Sequence, residues 1–413
     1  MEAATTLSGA GRDNSQANRF RATRRLSQAL AAPLSDADAT IQSMADASPA
    51  KWHLAHTTWF FETFLLRDHV VGYARFDERW PFLFNSYYEA EGARHARAAR
   101  GLLSRPTLEE VLDYRAHVDA AMEPLFERDD LAELIELGIQ HEQQHQELLL
   151  TDLKHALWCN PMGPVYLQSV EGGSVHGDAH PGNWHEYPGG IARIGHDADG
   201  FGFDNEGPAH RVLLEPFALA GRLVTNAEWA QFVADGGYRK PVLWLSDGWS
   251  WVQAENIAAP LYWRDDEEFT LAGWQVRNAD APVTHISSYE ADAFAAWAGQ
   301  RLPTEFEWEA IAQHQQSIGG NQLDDPAAVH PIGSPGLFGD CWQWTRSAYL
   351  PYPRFRTAEG AVGEYNGKFM SGQSVLKGAS CATPRGHSRS SYRNFFYPQQ
   401  RWQFTGLRLA KDL

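Results

Sequence analysis

The chain has 413 residues, of which 43% are hydrophobic and 12% aromatic, enough for two full-sized cores. Its formal net charge of −17 argues against nucleic acid or anionic membrane as a partner, since both are bound through clustered Lys and Arg, and no apolar run is long enough for a membrane-spanning helix. Three widely separated cysteines, Cys159, Cys341 and Cys381, make a poor disulfide framework and point to a reducing, cytoplasmic setting.

In chain order, residues 1–18 are polar, lack the apolar stretch of a secretory signal and read as disordered. From Arg21 to Trp158, apolar residues recur at three- and four-residue spacing. The pattern runs through RATRRLSQALAA, Trp52–Leu66, PTLEEVLDYRAHVDAAMEPLF and LAELIELGIQHEQQHQELLLTDLKHAL, and predicts four helices. Pro106-Thr107 followed by Glu109 and Glu110 marks a helix start with acids in its first turn. A longer crossover between the second and third helices fits a four-helix bundle over residues 19–159.

Residues 160–183, rich in Gly and Pro, read as a linker. From residue 184 to 413 the texture changes to short β-like runs, many glycines and prolines, and scattered tryptophans. RVLLEPFAL and SVLKGAS predict strands, while TNAEWAQFVADGG and SSYEADAFAAWAG predict short helices. The expected fold class is therefore α + (α+β), a helical bundle followed by an irregular, loop-rich domain.

The chemistry concentrates in His141-Glu142-Gln143-Gln144-His145, on the fourth predicted helix. Residues i and i+4 share a helix face, so both imidazoles can reach one metal ion. Alone, the string matches the zinc metalloprotease pattern, with Glu142 as general base. That pattern needs a third ligand downstream, and none follows: the chain turns through Asn160-Pro161-Met162-Gly163-Pro164 and meets no acid until Glu171. The better partner lies upstream, in Trp52-His53-Leu54-Ala55-His56, whose helix can face the other across the bundle. Three neutral imidazoles suit Fe(II), Zn or Cu and leave open positions for substrate or O2.

WHLAHTTWFFE, FNSYYEA with RGLLSRP after it, and HEQQHQELLLTD resemble the ergothioneine-biosynthesis sulfoxide synthases. Those enzymes join a DinB-like four-helix bundle to a domain of the formylglycine-generating-enzyme, C-type-lectin-like type. Pieces of the second half match that domain in order: Asn205-Glu206, His210-Arg211-Val212, Val224-Thr225-Asn226, Arg301-Leu302-Pro303-Thr304-Glu305, Trp342-Gln343-Trp344-Thr345 and Gly406-Leu407-Arg408-Leu409. The resemblance spans about residues 20–413. It implies a non-haem Fe(II) cofactor held by His56, His141 and His145, with His53 left to the core or behind a ligand. The implied reaction uses O2 to join the sulfur of cysteine, or a cysteine derivative, to the imidazole carbon of hercynine as the sulfoxide.

By the same matching, Gln144 contacts the hercynine imidazole, and Tyr87 or Tyr88 donates a proton. Arg94 and Arg97 take a substrate carboxylate. Asn394, Phe395, Phe396 and Trp402 close over the metal from the second domain, with aromatic faces suited to a trimethylammonium group. Cys381 stands alone rather than in the close cysteine pair that binds copper in formylglycine-generating enzymes, so that activity is not expected. Ala93-Arg94-His95-Ala96-Arg97-Ala98 departs from the family's proline-rich spacing and opens the question of the donor. The selenoneine synthases, which couple hercynine to a selenosugar, share the architecture. A zinc-binding bundle with a thiol-transferase or binding role is the rival of a different class.

Overall fold

The computed structural model describes residues 15–168, 183–196, 200–357 and 366–413. The bundle consists of α1 (Gln16–Ala31), the short α2 (Asp36–Thr40), α3 (Ala50–Phe61), α4 (Trp80–Phe84), α5 (Leu108–Met122) and the long α6 (Ala132–Cys159). Helix α1 begins at Gln16, where the Ser15 side chain accepts from the Asn18 backbone, so the last residues assigned to a disordered tail are helical. Residues 1–14 lie outside the described ones.

Helix α3 runs on into a π-helical turn, Glu62–Arg67, and the crossover to α5 is filled by α4 and short 3-10 turns. At the start of α5, Thr107 and Glu110 cap each other's backbone groups, as the Pro-Thr-x-Glu-Glu pattern predicted. Helices α3 and α6 pack closely because of Gly138: a Cβ there would lie 2.5 Å from Cε1 of Phe61.

The second domain carries twelve short strands in four small sheets among its described residues. Strand β1 (Trp184–Tyr187) pairs with β4 (Phe217–Ala220), which pairs with β12 (Ala410–Asp412); β2 (Gly190–Ile194) pairs with β3 (His210–Leu214). RVLLEPFAL is thus two strands rather than the single one expected, because Pro216 has no backbone N–H to give a ladder. A hairpin-like sheet follows with β5 (Trp263–Arg264), β6 (Glu267–Thr270) and β7 (Gly273–Val276).

The sheet nearest the bundle has the order β10-β9-β8-β11, from β8 (Trp342–Ala348), β9 (Ser374–Gly378), β10 (Asn394–Phe396) and β11 (Thr405–Gly406). Helices α7 (Asn226–Ala234), α8 (Ser246–Glu255), α9 (Ser288–Trp297) and α10 (Glu305–Ala312) complete the domain. Three of them start on reciprocal capping boxes, Thr225 with Glu228, Ser287 with Glu290 and Thr304 with Glu307.

One buried apolar cluster runs through both domains, from Trp52, Trp59 and Leu149 to Trp342, Trp402 and Phe404. No helix among the described residues is long and apolar enough to cross a membrane.

Candidate metal centre

Helix α6 carries buried or half-buried polar residues on three faces. Gln140, Gln144, Glu147 and Lys154, spaced by four, three and seven, face the second domain; His141, His145 and Asp152 face α3; Glu142 and Gln146 face α1.

The middle face meets His56 of α3. The candidate ligand atoms of His56, His141 and His145 all lie within 4.8 Å of one another, and all three residues are buried. His56 sits in an aromatic sandwich, stacked on Trp52 at 4.6 Å and on Trp59 at 5.5 Å. Its Nδ1 donates to the Phe84 carbonyl at 2.6 Å. Its Nε2 is buried and has no hydrogen-bond partner among the described residues. A desolvated, lone-pair-bearing nitrogen converging with two more imidazoles is what a divalent cation requires. Burial pushes His141 down to about 3 and His56 and His145 well below the usual imidazole range, so all three are neutral at pH 7, the form that ligates.

His53, one turn before His56, lies behind the group. Its Nδ1 is 2.8 Å from Nδ1 of His145 and its Nε2 is 3.1 Å from Oδ2 of Asp152. Asp152 also accepts from the Ser48 backbone at 2.8 Å and from Nε1 of Trp402 at 3.1 Å.

Glu142 faces away from the triad and is no protease base. It accepts from Ser27 at 2.6 Å, Arg115 at 2.7 Å and Arg24 at 2.8 Å. Burial alone would raise its carboxyl, but Arg115 and Arg24 outweigh that and hold it at about 2.

Gln144, the residue before His145, lines a cavity of about 160 Å³ together with Glu147, Phe203, Asn366, Tyr392, Arg393, Asn394, Phe395 and Phe396. The structure brings Gln144 and the Asn394–Phe396 segment to one place. Trp402 is not among the lining residues; its indole N–H goes to Asp152, and its ring meets Phe396 edge-on at 5.9 Å.

Tyr87 and Tyr88 stack on each other at 5.3 Å, and Tyr88 lies 5.4 Å from Trp59, whose indole also stacks on His56 at 5.5 Å. Burial pushes the Tyr87 phenol up to about 12. Arg94 pairs with Glu89 and Arg97 donates to the Asp46 carbonyl, both on the exposed surface and away from the cavity, because each finds a partner closer at hand.

Three residues of the site have no counterpart among those expected. Tyr392, just before the Arg393-Asn394-Phe395-Phe396 string, accepts from Nε2 of Gln144 at 2.6 Å. Its hydroxyl is 3.3 Å from Nε2 of His387, whose Nδ1 is 2.7 Å from Oε1 of Gln140. Glu147 receives Trp342 Nε1 at 2.7 Å, Thr383 at 3.1 Å and the Ser380 hydroxyl; burial pushes its carboxyl up to about 7 against these hydrogen bonds. The helical spacing of Gln140, Gln144 and Glu147 was the available signal, a polar stripe on a helix otherwise packed all round.

The sequence matches the DinB superfamily over residues 19–149 and the sulfatase-modifying factor enzyme 1-like domain over residues 186–328 and 329–413. It is 32% identical to the hercynine oxygenase of Mycolicibacterium smegmatis, over 89% of this chain and 91% of the relative. The hercynine oxygenase of Mycobacterium tuberculosis is likewise 32% identical, over 89% and 91% of the two chains. Ergothioneine biosynthesis protein 1 of Schizosaccharomyces pombe is 27% identical over 51% of this chain and 28% of its own.

Proposed function

This chain belongs to the hercynine oxygenase family, and from that premise we propose that it is an iron(II)- and O2-dependent enzyme of ergothioneine biosynthesis. It would join the imidazole carbon of hercynine to the sulfur of cysteine or a cysteine derivative. The observation that carries the reading is the convergence of three neutral imidazoles, His56, His141 and His145, the last two on the helix whose Gln144 bounds a cavity with Tyr392.

The overall step balances: one C–H and one S–H are lost as the C–S bond forms and sulfur becomes a sulfoxide. One oxygen atom of O2 enters the product and the other leaves as water. Iron held by the three histidines would supply O2 activation and a common meeting point for thiolate and imidazole.

The rest falls to the chain's own side chains. The Gln144 amide, held by Tyr392 at 2.6 Å, presents a fixed hydrogen-bonding group to an imidazole one residue from His145. Phe396 offers an aromatic surface to a trimethylammonium group that cannot donate hydrogen bonds, while the Phe395 ring lining the same cavity is stacked on Tyr349 at 4.2 Å. Asn394 adds an amide for a carboxylate. Among the described lining residues the phenol is Tyr392, and burial raises its pKa, so at neutral pH it donates a proton rather than taking one. Proton donation therefore falls to Tyr392 in preference to Tyr87 or Tyr88, its one O–H turning from Nε2 of His387 toward the substrate to do so.

A second reading is favoured by the charge of the cavity. Its described lining holds one guanidinium, Arg393, and this is bonded to Glu305 at 2.7 and 3.1 Å. A donor with free carboxylates finds amides and aromatic rings there, which suit a neutral, polyhydroxylated donor such as a selenosugar. The alternative of a zinc-binding bundle predicts zinc in the purified protein.

One experiment separates the three. Anaerobically purified protein is analysed for metal and then supplied aerobically with hercynine plus cysteine, γ-glutamylcysteine or a 1-selenosugar, and products are read by mass spectrometry. Iron with a sulfoxide product supports the first reading, and a carbon–selenium product the second. Zinc without O2 uptake overturns both.

A further inference from the structure

We propose that His53 and Asp152 are positioning residues for the triad, and that Trp402 ties them to the second domain, so that domain docking sets how tightly the triad holds a divalent metal. This rests on the metal reading above and adds to it a relay of four side chains drawn from both domains.

The hydrogen positions follow from the chain of contacts. Two ring nitrogens 2.8 Å apart, Nδ1 of His53 and Nδ1 of His145, can bond only if one carries a hydrogen and the other a lone pair. Asp152 decides which. Its Oδ2 is 3.1 Å from Nε2 of His53, and a carboxylate accepts, so Nε2 carries the hydrogen. An imidazole with its one hydrogen on Nε2 carries its lone pair on Nδ1, which is then the acceptor facing His145. His145 must then donate from Nδ1, and its Nε2 is left with the lone pair that a metal needs. A carboxylate acting through the ligand in this way fixes the ring's tautomer and rotation and raises its basicity.

Asp152 is itself held at both oxygens. Oδ2 takes the Ser48 backbone N–H at 2.8 Å, from the turn leading into α3. Oδ1 takes the indole N–H of Trp402 at 3.1 Å, 250 positions away on the second domain. All four side chains are at least nine-tenths buried, so water does not stand in for a lost partner without rearrangement. Replacing Asp152 with Asn puts an NH2 group against one of its donors, so one link of the relay must break.

The test uses full-length apoprotein titrated anaerobically with Co(II), read by its visible d–d bands and by chelator competition. Asp152→Asn is expected to weaken Co(II) binding about 10- to 100-fold and to shift the bands, the usual effect of losing such a partner. Trp402→Phe, which keeps an aromatic ring at this buried position while removing the N–H, is expected to weaken it about tenfold. Because Trp402 acts through Asp152, adding Trp402→Phe to Asp152→Asn should change affinity less than about twofold further. Should Asp152→Asn not fold, Trp402→Phe alone makes the comparison. Wild-type binding at one Co(II) per chain with unaltered affinity and spectrum in the variants overturns the relay. Failure of the wild type to bind Co(II) overturns the metal reading and the relay with it.

Discussion

Gln144, one residue before His145, gives an amide hydrogen to the hydroxyl of Tyr392 at 2.6 Å across 248 positions of sequence. The same helix face sends Gln140 to His387, Glu147 to Trp342 and Thr383, and Lys154 to His285. The helix that supplies two of the three imidazoles is therefore also the seam between the domains. The cavity exists only where the two halves meet, since Gln144 and Glu147 come from one and Tyr392 to Phe396 from the other.

His141→Ala removes one of three converging nitrogens and cannot be compensated by His53, whose two ring nitrogens are committed to His145 and Asp152. The variant is expected to lose stoichiometric iron while keeping the far-UV circular dichroism of the wild type. Elemental analysis after anaerobic purification checks this; full iron content in the variant contradicts the ligand assignment.

Glu142 is bound by two buried guanidiniums, and removing its charge leaves Arg115 without a carboxylate. Breaking such a buried pair costs about 3–5 kcal/mol. Glu142→Gln is therefore expected to lower the urea unfolding midpoint markedly, whereas a catalytic base would leave it nearly unchanged. Casein incubated with the wild type should remain uncut.

The difference between these residues explains what the sequence could reveal. His141 and His145 share a face by spacing alone, and His56 comes with flanking Trp52 and Trp59 at four and three residues, so the triad is written in two short strings. Tyr392, His387 and Asp152 owe their places to bonds with Gln144, Gln140, His53 and Trp402, partners 99 to 250 positions away, and no local pattern encodes those. The partners of Arg94 and Arg97 are hidden for the converse reason: matching by position in a segment of altered spacing does not foresee their bonds to Glu89 and the Asp46 carbonyl. The break at Pro216 was readable, since proline interrupts a ladder wherever it falls.

Lys154 gives the interface a pH dependence. Burial lowers its pKa to about 8, with its Nζ 2.8 Å from Nε2 of His285. Between that value and the model-peptide range near 10.4, the unfolded chain binds a proton that the folded chain has released. Stability from this group therefore rises with pH through that window, and the penalty for a buried ammonium is fully present below it. Lys154→Met should flatten the rise: the stability difference between variant and wild type should shrink from pH 7.5 to pH 10 by up to about 3 kcal/mol. Urea unfolding of both proteins across that range measures it, and parallel curves would remove Lys154 from the account.

The Gln144–Tyr392 bond makes the most direct claim on catalysis. His387 gives Nδ1–H to Gln140 and so offers Nε2 as acceptor to the Tyr392 hydroxyl, which in turn accepts from the Gln144 amide. That order turns the Gln144 carbonyl oxygen into the acceptor a substrate imidazole N–H would meet. Tyr392→Phe unfixes the amide and removes the phenol, so both binding and proton donation should suffer. An orienting hydrogen bond contributes about 1 kcal/mol, which predicts a several-fold rise in KM for hercynine. Loss of a proton donor predicts a further fall in kcat of about a hundredfold. Gln144→Leu should raise KM similarly with little effect on kcat, and the double variant should bind hercynine no worse than Tyr392→Phe alone, because the two residues act as one unit. Steady-state kinetics on the three variants distinguishes the roles, and a Tyr392→Phe enzyme with wild-type kcat would leave the tyrosine as a spacer and return the proton to another group.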